Sequence, residues 1–345
     1  MRGSGWQATA FAGPALFLLV VFLIYPVVWT VRLSLDRGRG LRIGEWVGLE
    51  NYERLFRDRR FIDLTTFPPE GALANNVLWV ILYTSLCLIL GLFIAVLATR
   101  VTYERALKAI IFLPMAISAV SVALIWKFVY SPDPDIGVIN AVRDAFGLGI
   151  IPFLGRESTV NYAIILAYVW ASTGFAMVVL SAALKGISQE VIEAARTDGA
   201  TEWNIFRRIQ FPLLSLPISV VSVWLIINVI KLFDIIYVMT PGGGPSGKTA
   251  VIGYMMYDQT FVSRRGGYGA AIAVVMLLLI IPIMAFNLAG GSLWPVNITL
   301  PSVGFGLLAA GLGAAALVYL YFEYHRITRR DAEAAARRSA QLAGR

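Results

Sequence analysis

The octet Gly242–Thr249, GGGPSGKT, fits the G-x-x-x-x-G-K-T pattern in which backbone N–H groups and a lysine hold the phosphates of a nucleotide. Such a loop follows a buried β-strand and opens a helix in an α/β domain. Here an apolar, helix-like run precedes it and Pro245 has no N–H to donate, so the octet reads as a tight turn. One cysteine, Cys87, and one histidine, His325, leave no material for a multi-cysteine metal site, a His-pair zinc site or a histidine-based relay. The remaining candidates are polar groups inside apolar runs. Asn228, Lys231 and Asp234 recur every third residue, which on a helix keeps them within an arc of about 120°. Charge inside a membrane span is costly and by default functional. Lys231 and Asp234 can neutralise each other at i,i+3, so the face is either a polar pathway or a structural pair between packed helices. Lys127 lies near a span end and can snorkel to the interface. Ser118, Ser121, Ser172 and Thr173 suit helix packing as well as ligand binding.

Composition dictates what must hold these groups. Of 345 residues, 58% are hydrophobic and 14% charged, where an ordinary soluble domain carries about 25% charged. That excludes a disordered chain, an ordinary soluble enzyme and a nucleic-acid module, despite the net charge of +8. A helix needs about 20 apolar residues to cross the hydrocarbon core. Phe11–Val31, Gly71–Thr99, Ala109–Trp126, Ser158–Leu184, Ile209–Ile230 with continuation to Met239, Gly269–Ala289 and Val303–Phe322 qualify. Helices are required because an open strand cannot satisfy its backbone in lipid. The first run is expected to stay as a span, since no small-residue cleavage site follows it. The expectation is an all-α, polytopic helical membrane bundle.

The polar connections divide the chain. Residues 1–35 hold the first span, and 36–75 form a loop in which seven arginines meet seven acids. Within it Leu49, Tyr52, Leu55 and Phe56 share a helical face, predicting a short amphipathic helix along the membrane surface. Ser131–Glu157, rich in Pro and Gly, reads as an extramembrane loop. Residues 76–290 form the core, and inside it Lys185–Arg208 is the most structured connection. Ser188 is placed to cap a helix that ends near Gly199, where only glycine takes the left-handed conformation freely. A second helix starts at Ala200 to Trp203 and runs to Pro212. Ala194 and Ala195 lack bulk, so this helix–corner–helix forms a small-faced knob suited to docking a soluble partner.

Glu193-Ala194-Ala195, three residues, Gly199, nine residues, Ile209, one residue, then Phe211-Pro212 resembles the EAA motif of bacterial ABC-importer permeases, with Phe211 where that consensus has leucine. Asn75-Asn76 with Leu78-Trp79, Leu113-Pro114, Trp126, Trp170, Gly174-Phe175, Phe233-Asp234, the Thr240–Pro245 turn and Gly267-Tyr268-Gly269 are similar to the carbohydrate-uptake, maltose-type branch, covering roughly residues 10–289. The resemblance implies a type I ABC-importer permease core of six spans in the bacterial inner membrane, with no cofactor and no catalytic site of its own. It implies that Glu193, Ala194, Ala195, Asp198, Gly199 and Ala200 form the coupling helix seated in a separate ATPase subunit. It also implies a second permease, two ATPase copies, an extracytoplasmic solute-binding protein and a sugar or oligosaccharide substrate, with Asn228, Lys231, Asp234 and Tyr237 along the pathway.

A secondary transporter driven by an ion gradient is the alternative; it would need intramembrane carboxylates and usually an internal repeat, and the chain offers one such acid, Asp234, and no repeat. The C-terminus departs from the family. Residues 291–322 add a seventh apolar segment, and span counting puts the tail 323–345 outside. Its arginines (326, 329, 330, 337, 338 and 345) would by the positive-inside rule stay in the cytoplasm.

Overall fold

Apolar runs of this length become helices because each backbone group then finds its partner within the run. A computed structural model describes residues 5–63, 70–99 and 101–292, without the side chains of 5–11 and 285–292. The added segment Val303–Phe322 and the basic tail lie outside the described residues. Helix α1 (Gly5–Leu19) passes through a π-helical turn into α2 (Tyr25–Ser34). A two-residue antiparallel ladder, β1 (Asp36–Arg37) with β2 (Glu45–Trp46), is a small departure from an all-helical chain. Then come α3 (Glu50–Arg57), α4 (Ala72–Ala98), α5 (Glu104–Phe112), α6 (Ala119–Val129), α7 (Val138–Ala145) and α8 (Glu157–Lys185). The polar connection holds α9 (Gln189–Thr197), α10 (Glu202–Ile205) and α11 (Phe211–Leu213). The chain continues through α12 (Ser215–Ile230), α13 (Asp234–Met239), α14 (Ile252–Tyr257) and α15 (Gly266–Ser292).

Among the described residues four helical stretches are long and apolar enough to cross a membrane: Ala12–Ser34, Ala72–Ala98, Glu157–Lys185 and Gly266–Met284. Counting each of two interrupted pairs as one span gives up to six. Ala109–Trp126 is not one helix, contrary to the expectation. It breaks through a 3-10 turn at Leu113–Ala116, where Pro114 lacks an N–H, and restarts after Ser118, whose Oγ accepts from Ser121 N at 3.2 Å. The fifth apolar run is also divided, with a 63° bend between Glu202–Leu213 and Ser215–Ile230.

Contacts group the chain into two units. One comprises Met1–Leu78, Ile117–Tyr168 and Ile226–Gly290. In it α3 docks on its own chain: Asn51 Nδ2 donates to Ser34 O and Asp36 O, both at 2.9 Å, and Leu55 is fully buried. Leu49 and Phe56 stay exposed, so the buried stripe is narrower than the periodicity suggested. The loop 131–157 contains α7, held by Asn140, which donates to Ser131 O and Ile151 O and accepts from Ile151 N. The start of α15 lies so close to the first loop that a Cβ on Gly267 would sit 1.8 Å from Asp36 O.

Among the described residues the other unit is made of Trp79–Ala116 and Val169–Leu225. Here α8 packs on α4 and α5 through small residues: a Cβ on Gly91 would meet Ala176 Cβ at 2.6 Å, and one on Gly174 would meet Ile111 O at 2.6 Å. Close backbone approach through small residues is how helices gain packing contacts without a hydrophobic driving force. Thr173 donates its hydroxyl to Val169 O, one turn back in the same helix, at 2.7 Å.

Candidate functional site

The connection Lys185–Arg208 forms the predicted helix, corner and helix. Gly199 has φ +82°, and two hydrogen bonds close the end of α9: Gly199 N to Arg196 O and Ala200 N to Ala195 O, both 3.0 Å. That pair is the Schellman arrangement, with glycine at the left-handed position. Thr201 caps α10 by accepting from Asn204 N at 3.3 Å, and Arg196 pairs with Glu202 at 2.9 Å across the corner. Ser188 occupies the cap position of α9, but its side chain makes no capping hydrogen bond. Ile192 and Ile205 anchor the two short helices in the chain. Glu193, Ala194, Asp198 and Gly199 face outward, and Ala195 and Ala200 are half-buried. Sequence reasoning passed over Val191 and Trp203, which flank the corner with 48% and 65% of their surface exposed. After α10 the backbone widens into a π-helical turn over Phe206–Gln210, a feature often found at functional sites.

The pathway candidates are arranged differently from the prediction. Helix α12 ends at Ile230, and Lys231–Phe233 is not helical, with Phe233 at φ −146° and ψ −57°. Asn228, Lys231 and Asp234 therefore do not form one helical face. Lys231 and Asp234 make no ion pair; each is exposed, one at the C-terminal end of α12 and the other in the first turn of α13. Those are the ends where the helix dipole favours a cation and an anion respectively. Asn228 is half-buried, and Tyr237 is 43% exposed. Tyr237 belongs to an aromatic cluster in which Phe233 lies 5.3 Å away and Tyr257 5.3 Å away, with Phe233 and Tyr257 4.3 Å apart.

The break in the fifth run is held by Asn76 from α4. Its Nδ2 donates to Val229 O at 3.0 Å, and its Oδ1 accepts from Ile252 N at 2.7 Å, tying the end of α12 to the start of α14. Asn75 donates to Ala250 O at 2.8 Å, and Asn161 donates to Lys248 O at 3.1 Å and to Asn75 Oδ1 at 2.5 Å. Asn161, a lone amide in an apolar run, was a signal the sequence offered. Together these amides clamp the glycine-rich octet. The octet folds as two 3-10 turns after helix α13, closed by Thr249 N donating to Gly243 O at 2.9 Å. Lys248 is buried and paired with Glu70 at 2.8 Å. A lysine so placed does not face a phosphate.

Residues 87–289 match the model of the binding-protein-dependent transport system inner membrane component. The chain belongs to this family. It is 45% identical over 279 residues to the osmoprotective compounds uptake permease protein GgtC of Synechocystis sp., covering 80% of this chain and 95% of that one. It is also 40% identical over 285 residues to the alpha-glucoside transport system permease protein AglF of Rhizobium meliloti, covering 81% and 80%. A bacterial ABC transporter structure involved in import of the polysaccharide alginate shares the fold, with TM-score 0.70 and 24% identity over 82% of this chain and 95% of that one. The protein is thus a multi-pass inner-membrane permease of an ATP-driven, binding-protein-dependent importer, a transport component by family. A gradient-driven carrier no longer fits.

Proposed function

We propose that this permease passes a sugar or oligosaccharide to the cytoplasm from an extracytoplasmic binding protein, beside a second permease and two copies of a separate ATPase. Relatives named for alpha-glucoside and for trehalose/maltose transport support the substrate class. The observation that carries the coupling role is the Gly199 corner: an exposed knob of small residues, rigidly closed by two backbone hydrogen bonds and flanked by bare Val191 and Trp203. Such a knob transmits rigid-body movement into the spans, as alternating access requires. Asn228, Lys231, Asp234 and Tyr237 border the pathway as separate polar and aromatic contacts, with the Tyr237 cluster offering ring faces to a sugar.

Purification from the native host, with mass identification of companions and bound solute, tests the assembly. An ATPase chain and a carbohydrate are expected; their absence from an intact, active preparation refutes it. Sidedness is tested with single cysteines in a Cys87→Ser background. One at Ser246 should react with an impermeant thiol reagent added outside and one at Thr201 should not; reversed labelling overturns the orientation.

A further inference from the structure

Helix α3, which its spacing places along the membrane surface, docks on its own chain instead. Helix α7 does the opposite. Val138, Val142 and Phe146 stand four residues apart, within an arc of about 80°, and all three are exposed, Phe146 by 76%. Asn140, on the other side of the helix, is fully buried, and its amide holds Ser131 and Ile151. Gly137 closes that inner side, since a Cβ there would sit 2.1 Å from Ser131 O. An amphipathic helix in water turns its apolar side to the protein and its polar side out. Here the polar anchor faces in, so the apolar side is held outward.

The turn after the helix extends this surface and is built to leave water. Leu148 and Ile150 are exposed as well. The backbone is paired within the segment: Gly147 N donates to Asp144 O and Leu148 N to Arg143 O, both at 2.9 Å, while the Arg143 side chain donates to Leu148 O at 2.8 Å and Gly149 O at 3.0 Å. Lipid offers no hydrogen bonds, so a segment entering it must satisfy its carbonyls internally. The guanidinium of α7 is spent on that task.

Position in the chain selects what covers the face. Helix α6 ends at Val129 and α8 starts at Glu157, so the segment is strung between two runs apolar enough to cross the membrane. Their junction carries an aromatic cluster, Trp126 with Tyr130 at 5.0 Å and Tyr130 with Phe153 at 5.3 Å, of the kind that sits at headgroup level. The last turns of α6 also expose Leu124, Ile125 and Phe128, so apolar surface leads into the segment from the span. Residues 131–157 hold four acids against two arginines, which gives no attraction to anionic headgroups. Contact with lipid must then come from apolar burial.

We propose that α7 and the turn after it, residues 138–150, seat their apolar side in the headgroup–acyl boundary of the leaflet at which α6 ends, with the bilayer itself as the partner of this face. Nothing in this depends on the solute transported.

The test uses the assembled transporter in phosphatidylcholine nanodiscs, in a Cys87→Ser background, with a spin label on a single cysteine: Val142→Cys, Phe146→Cys or, on the opposite side of the helix, Asp144→Cys. Collision of the label with oxygen, which partitions into lipid, is compared with collision with a water-soluble nickel chelate. The oxygen-to-nickel ratio should be several-fold higher at Val142 and Phe146 than at Asp144, and should stay so when phosphatidylglycerol is added. Val138→Cys replaces either variant whose melting curve departs from that of the parent. Equal ratios at all sites, with the chelate reaching each, overturn the proposal and leave the face in water. Labels at Val142 and Phe146 shielded from both reagents overturn it in favour of a protein neighbour, and shielding that appears only with binding protein present does so in favour of that protein. A high ratio found only with phosphatidylglycerol overturns apolar insertion.

Discussion

Replacing Gly199 isolates the conformational demand of the coupling corner from every packing effect. Its φ is +82°, and a Cβ built there would have no heavy atom within 4 Å. The cost of a side chain is therefore torsional. Alanine forced into the left-handed region costs about 1–2 kcal/mol, and β-branched valine at least as much. At about 1.4 kcal/mol per tenfold, alanine lowers the fraction of chains holding the native corner by roughly 5- to 30-fold relative to competing turns. Asparagine tolerates this region better. Uptake and binding-protein-stimulated ATP hydrolysis should thus fall in the order Gly, Asn, Ala, Val, while membrane insertion and expression stay unchanged because nothing in the spans is touched. ATPase co-purification measured on the same samples distinguishes failed assembly from failed transmission. Wild-type assembly, stimulation and uptake in Gly199→Val would refute the role of this corner, and an Asn variant no better than Ala would refute the torsional argument itself.

Asn76→Ala should destabilise the chain by about 1–3 kcal/mol, because Ile252 N loses its acceptor, whereas Val229 O keeps Leu232 N; a melting curve indistinguishable from wild type would contradict the clamp. Lys231→Ala and Asp234→Ala should act additively on uptake and stability, with coupling of no more than about 1 kcal/mol, since no pair forms between them; a double mutant markedly healthier than either single one would restore the buried-pair reading. At Asp58, burial raises the pKa, but hydrogen bonds from Arg60 and Tyr268 outweigh it and hold the carboxyl below its ordinary 3.8. A depressed folded pKa contributes stability above the unfolded value and loses it as pH falls through the folded one. The melting difference between wild type and Asp58→Asn should therefore persist at neutral pH and shrink below about pH 4; a difference that grows under acid would reverse the assignment.

What was legible in the sequence was whatever a local rule decides. Long uncharged runs must become helices in lipid, and Gly199 had to sit at a left-handed helix end, so both were readable from residue types alone. What failed depended on partners distant in sequence. The three-residue recurrence of Asn228, Lys231 and Asp234 presumes an unbroken helix. The break exists because Asn76, 153 residues away, takes Val229 O and offers its own oxygen to Ile252 N. No window around the fifth run contains that information. The same holds for α3, whose buried stripe is selected by Ser34 and Asp36 accepting from Asn51 rather than by its own apolar spacing.

The amides also explain why a nucleotide-loop pattern can stand in a permease without the chemistry. Glycines make a loop that bends tightly, and a lysine following them is a cation in a crowded place; what the loop then does depends on what receives its N–H groups and its charge. Here the carbonyls of Lys248 and Ala250 are taken by Asn75 and Asn161, the cation by Glu70, and Thr249 closes the turn on Gly243. With those groups committed internally, the octet is a rigid rim rather than a phosphate cradle. The pattern and the turn it forms here thus rest on the same glycines, and the difference lies in two asparagines and a glutamate outside the motif.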